Sequence, residues 1–141
     1  MTGLRVGQVA RLAAVNLQTI RYYERRGLLP VPTRTSANYR LYAADAPTRV
    51  QFIKRAQELG FTLQEIKDLL SLQAASQTRC AAIRERAQEK MHDIDEKLRL
   101  LQAMRRALTR LIRECSGTRP VSECPILGAL ASGRRAGRVD R

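Results

Sequence analysis

The sequence predicts a mainly α chain. Two short helices joined by a tight turn come first, then a small β-hairpin, two further helices, a long coiled-coil helix and a short C-terminal loop. Short apolar stretches at helical spacing, punctuated by Gly and Pro, fill the first half. A run from about Gln77 to Glu114 holds neither Gly nor Pro. Within it apolar residues alternate three and four apart, the pattern of a coiled-coil seam.

The first helix is read at Val6–Ala13, where Val6, Val9, Ala10 and Ala13 share one face. Ala14-Val15-Asn16 reads as a turn. Leu17–Arg26 reads as the second helix, with Gly27 at the left-handed position that closes it. Together they form a helix-turn-helix. The second helix carries Thr19, Arg21, Tyr22 and Arg25, a set suited to phosphates and base edges. Pro30 and Pro32, a Ser36-Ala37-Asn38 turn and the alternation of Tyr39–Tyr42 read as a β-hairpin wing. Arg34 and Arg40 on that wing are placed to reach phosphates.

Asp45 reads as the N-cap of a helix that has Pro47 in its first turn and stops at Gly60. Val50, Phe52, Ile53 and Ala56 should face inward. Thr62-Leu63-Gln64-Glu65 is a capping box opening a helix through Leu72. Gln73–Thr78 reads as a linker. In the long helix one heptad series is Cys80, Ala87, Ile94, Leu101, Leu108, Cys115; the other is Met91, Leu98, Arg105, Ile112. Only Arg105 breaks the stripe. One helix cannot bury such a stripe alone, so a second copy is the simplest partner.

The chain has 141 residues, with 26 Lys and Arg against 13 Asp and Glu, a net charge of +13. That excess on so short a chain predicts a polyanionic partner, double-stranded DNA given the helix-turn-helix. Aromatics are 4% and Trp is absent, which argues against a large aromatic-lined pocket. No stretch approaches the ~20 apolar residues of a membrane span, and Arg5 and Arg11 interrupt the only N-terminal apolar stretch. A cytoplasmic protein is expected. Catalysis is not: the single His, His92, falls on the polar face of the long helix, and no Gly-rich phosphate loop is present.

Three cysteines in a reducing compartment point to metal ligands, reactive groups or inert core. Cys80 and Cys115 lie 35 residues apart on one helix, or about 50 Å at ~1.5 Å per residue. One ion cannot bridge them within a chain. If the partner helix runs antiparallel, Cys80 of one subunit meets Cys115 and Cys124 of the other, giving two sites per dimer. A parallel pair would place Cys80 beside Cys80. Three thiolates favour a soft divalent ion, Hg(II) first, with Pb(II), Cd(II) or Zn(II) behind.

Thr19–Leu29, Asn38–Tyr42 and Phe52–Ile66 together resemble the DNA-binding domain of the MerR family of transcription regulators, and the likeness extends over about residues 3–127. The resemblance implies a dimer on a dyad-symmetric promoter operator. Metal binding would distort the DNA and realign the promoter for RNA polymerase, while the metal-free protein represses. It also implies that Thr19, Arg21, Tyr22, Tyr23, Arg40 and Tyr42 contact DNA, although Tyr23 and Tyr42 read equally well as core aromatics. Cys80, Cys115 and Cys124 match the ligands of the mercury-responsive branch. The zinc-responsive branch usually adds a Cys and a His where this chain has Glu114 and Arg119. The expected organisation is a DNA-binding domain over 1–73, a dimerisation helix over 74–114, a metal-binding loop and terminal turn over 115–130, and a basic disordered tail over 131–141. An architectural DNA binder with idle cysteines is the other reading.

Overall fold

The computed structural model describes residues 3–132. The chain divides into two compact units between Lys90 and Met91.

In the first unit α1 (Val6–Ala13) and α2 (Leu17–Arg25) form the helix-turn-helix. Asn16 caps α2: its Oδ1 accepts hydrogen bonds from the Thr19 backbone N–H at 2.8 Å and the Thr19 hydroxyl at 2.9 Å. The turn preceding it uses Ala14 at φ 56, a left-handed conformation that costs a non-Gly residue roughly 1 kcal/mol. α2 ends in a Schellman motif. Gly27 sits at φ 75, its N–H bonds the Glu24 carbonyl, and the Leu28 N–H bonds the Tyr23 carbonyl.

The wing pairs β1 (Thr33–Arg34) with β2 (Arg40–Leu41), antiparallel, Thr33 opposite Leu41 and Arg34 opposite Arg40. Asn38 supplies the positive φ that its turn requires. A third segment joins the hairpin: Leu4 and Tyr42 exchange both backbone hydrogen bonds, at 2.9 and 2.7 Å.

α3 (Ala46–Glu58) and α4 (Leu63–Ala74) complete the core. Asp45 stands at the N-cap of α3, yet its side chain makes no capping bond. Its backbone is helical (φ -85, ψ -3) rather than extended, so the carboxylate is not aimed at the first turn's N–H groups. The capping box of α4 is present as expected, Thr62 and Glu65 exchanging bonds of 3.2 and 2.8 Å. Val9, Ile20, Leu28, Val50, Ile53 and Ile66 are fully buried in one cluster, each worth about 1.5–3 kcal/mol of burial. Phe52 is only half-buried.

The long helix α5 spans Cys80–Glu114, starting three residues later than the gap in Gly and Pro suggested. Thr78 closes a turn back to the Ala75 carbonyl first. In the second unit a loop, a 3-10 turn (Val121–Glu123) and α6 (Pro125–Ala131) follow. The basic tail expected over 131–141 lies, beyond Ser132, outside the described residues. No helix among the described residues is long and apolar enough to cross a membrane.

Candidate nucleic-acid interface and metal centre

On α2, Arg21 and Arg25 are exposed and Tyr22 is 40% exposed. The Arg26 guanidinium lies 6.0 Å from the Tyr22 ring centre. Arg21 has no ion pair among the described residues, which leaves its fork of donors open to phosphate. Thr19 is half-buried and its hydroxyl is committed to Asn16.

Tyr23 and Tyr42 belong to the core: both are 3% exposed. The Tyr23 hydroxyl donates to Gln57 Oε1 at 2.6 Å and the Tyr42 hydroxyl to Glu24 Oε2 at 3.0 Å. Burial raises both phenols above their ordinary value, which keeps the hydroxyls protonated as donors. The resemblance places both at the DNA; the structure instead shows them buried as core aromatics, the other reading their sequence allows, where they tie α2 to α3 and the wing to α2.

Glu24 is the residue that sequence reasoning missed. It also pairs with Arg40 Nη1 at 3.1 Å, so one carboxylate on α2 holds two residues of the wing. Arg40 therefore shares its charge with Glu24 while keeping 42% of its side chain exposed. Arg34 Nη1 donates to the Asn38 carbonyl at 3.2 Å and braces the wing turn. Arg5 lies 4.5 Å from the Tyr39 ring centre, a second strap on the wing. Only the basic excess of the region hinted at these partners, since their spacings in sequence follow no local rule.

The three cysteines are free thiols, Cys80 exposed and Cys115 and Cys124 half-buried. Cys80 is the first residue of α5, on the lip of an apolar groove of about 660 Å³ lined by Phe52, Leu59, Leu69, Leu72 and Ile83. Cys115 follows the last turn of α5, its N–H bonding the Ile112 carbonyl. Gly117, at φ 80, then turns the chain, and Cys124 opens α6. Among the described residues no group of three His, Cys, Asp or Glu within one chain could hold a metal ion. The thiols are chemically suited to a soft cation, but one chain does not gather them. His92 lies on the helix surface near Glu96, 3.4 Å away.

Along α5 the expected stripe is bare. Met91, Ile94, Leu98, Leu101, Leu108 and Ile112 are 40–63% exposed. Lys90 is the buried exception among the charges, its Nζ 2.8 Å from Glu65 Oε1 and 5.6 Å from the Phe61 ring centre. The hydrogen bond from Lys90, with that from the Thr62 backbone, lowers the Glu65 carboxyl below its ordinary 4.5.

Two family models match the chain: "MerR HTH family regulatory protein" over residues 4–73 and "MerR, DNA binding" over residues 48–111. The mercuric resistance operon regulatory protein of Bacillus cereus is 41% identical over 126 residues, covering 89% of this chain and 96% of that protein. The transcription regulator PbrR691 of Ralstonia metallidurans CH34, solved in complex with lead(II), aligns with TM-score 0.82 at 35% identity. The match covers 90% of this chain and 98% of that one. The regulator MerR of Bacillus megaterium MB1, solved in complex with mercury(II), aligns with TM-score 0.71 at 37% identity, over 91% and 99% of the two chains. The fold described above thus recurs in these two solved regulators over nearly their whole length. The chain belongs to the MerR family of helix-turn-helix transcription regulators, which are not enzymes.

Proposed function

We propose that this regulator works as an antiparallel homodimer that binds promoter DNA and responds to a soft divalent metal ion. Cys80 of one protomer and Cys115 and Cys124 of the other hold the ion, two sites per dimer. The observation that carries this reading is the exposed apolar stripe of α5, whose two ends bear Cys80 and Cys115 on one heptad series. Burying the stripe against a head-to-tail copy brings the thiols together. The metal supplies a strong bond between subunits when bound. The chain's own residues confine it to sulfur donors, and neither Glu114 nor Arg119 adds a soft ligand.

Mercury(II) is favoured, because an all-thiolate set suits the softest ion best; lead(II), cadmium(II) and zinc(II) are the alternatives. The mercury- and lead-bound relatives support the class of ion. At the promoter, Arg21, Tyr22, Arg34 and Arg40 contact DNA, chiefly its backbone, with Thr19 fixing the start of the recognition helix. Metal binding then distorts the operator and realigns the promoter for RNA polymerase.

The test is a titration of reduced protein with Hg(II), followed by ultraviolet thiolate-to-metal absorption. A band that saturates at one ion per chain is expected, and it is lost in Cys115→Ser. Mixing Cys80→Ser with Cys115→Ser subunits restores one complete site per dimer. No band in the native protein, or no recovery in the mixed dimer, overturns the cross-subunit site.

A further inference from the structure

The exposed face of α2 is ordered around its axis. In the DNA-binding role proposed above, on which this inference rests, that order decides which residue meets which part of the duplex. Ile20 and Tyr23 are the buried residues of the helix, and the line midway between them marks its inward face. At roughly 100° of turn per residue, Arg21 and Tyr22 stand about 130° from that line, one on either side, while Gln18 and Arg25 stand about 170° from it. All four are exposed. A helix laid in the major groove turns its outermost line toward the base edges and its flanks toward the two phosphate walls. Arg21 and Tyr22, on the flanks, then meet backbone, in keeping with the contacts proposed for them.

Gln18 and Arg25 form the ridge between those flanks, two turns or about 10 Å apart along the axis. A recognition helix brings its N-terminal residues closest to the bases. Gln18 is the second residue of α2 and Arg25 its last, so the ridge enters the groove deepest at Gln18. The amide there is free to be used: among the described residues it makes no hydrogen bond. Gln8, Gln51 and Gln57, by contrast, spend theirs on the Arg5 backbone N–H, the Leu12 carbonyl and the Tyr23 hydroxyl. An uncharged amide gains little from a phosphate compared with a guanidinium. Its donor and acceptor side by side match adenine, whose major-groove edge presents the N7 acceptor next to the N6 donor.

We propose that Gln18 reads an adenine in each half of the operator, its amide N–H donating to N7 and its carbonyl Oε1 accepting from the N6 amino group. Gln18 thereby determines sequence, while the arginines around it determine grip.

The test begins with duplexes selected from a random pool by the full-length protein, native and Gln18→Ala. The variant is expected to fold like the native chain, because the amide it loses is exposed and bonds nothing within the chain. The native chain should select adenine at one position in each half-site. Gln18→Ala should accept any base there and keep its other preferences. On the native consensus, changing that adenine in both halves should weaken native binding about a hundredfold, or about tenfold per half-site, and leave the variant nearly indifferent. A 7-deazaadenine at the same place in one half removes the N7 acceptor alone. It should cost the native protein about fivefold and the variant nothing. The salt slope should be equal for the two proteins, since no phosphate contact is lost.

Selection of the same adenine by Gln18→Ala overturns the inference, and so does control by Gln18 over a base other than adenine. A uniform loss of affinity with a lower salt slope also overturns it, because that is the mark of a phosphate contact. In each of these outcomes the native chain still selects its duplex and the DNA-binding role stands. A native chain that selects no duplex overturns both.

Discussion

The two units of this chain differ in where their apolar residues end up. In the first, Ile20, Leu28, Val50, Ile53 and Ile66 vanish into one core. In the second, Leu111 alone of the described hydrophobic residues is buried, while Leu98, Leu101, Leu108 and Ile112 remain open. Both carry regular apolar patterns. The difference lies in what the chain offers each pattern to pack against. The first unit folds helices α1 to α4 onto one another, whereas the stripe of the second finds no cover within its own chain and awaits, in the proposed dimer, another copy. The helix-turn-helix fold is thus complete within one chain, while in the dimer proposed above sensing is shared between two.

That contrast can be broken most severely at Leu101. Leu101→Glu places two charges in the seam, one from each copy, and forfeits two Leu burials. About 4 kcal/mol is expected, near a thousandfold in the dimer constant. Sedimentation and operator binding should show a monomer with little DNA affinity, while the melting of the first unit is unchanged. A dimer of native strength would mean that the stripe is not the interface.

A smaller effect tests the self-sufficient side. Glu65→Ala removes both the capping bond on Thr62 and the ion pair with Lys90. About 1–2 kcal/mol of stability at pH 7 should be lost, read by thermal melting. Because the folded carboxyl titrates below 4.5, its contribution is present above that pH and fades as acid protonates it. The gap between native and variant should therefore shrink toward pH 3. A gap that stays constant assigns the loss to something other than the charge.

The smallest effect sharpens the DNA side. Arg21→Ala should weaken operator binding about fivefold and lower the salt slope by about 0.9, the signature of one phosphate contact. An unchanged slope removes Arg21 from the contacts.

Local patterns made much of the first unit legible. Thr62 and Glu65 announce a helix start by spacing alone, and Gly27 a helix end, because caps and turns are settled within a few residues. Three and four spacing likewise announced α5. Long-range choices stayed hidden. Asp45 looked like a cap, but its backbone conformation decides that. Glu24 gains its importance from Arg40 and Tyr42, which lie on the wing rather than on its own helix. The burial of Tyr23 and Tyr42 and the pairing of Lys90 with Glu65 likewise depend on contacts between elements. The cysteines were legible in type, while one chain does not gather them among the described residues.

The wing is fastened at its β2 strand, by Glu24 from α2 and by Leu4 and Arg5 from the N-terminal segment. A loose hairpin would have to be ordered each time it gripped a phosphate, at a cost of about 0.5–1.5 kcal/mol for each mobile side chain. Fastened in this way, its shape is set within the chain itself. If the wing grips the operator as proposed, strain at that point falls on the DNA rather than on a yielding protein.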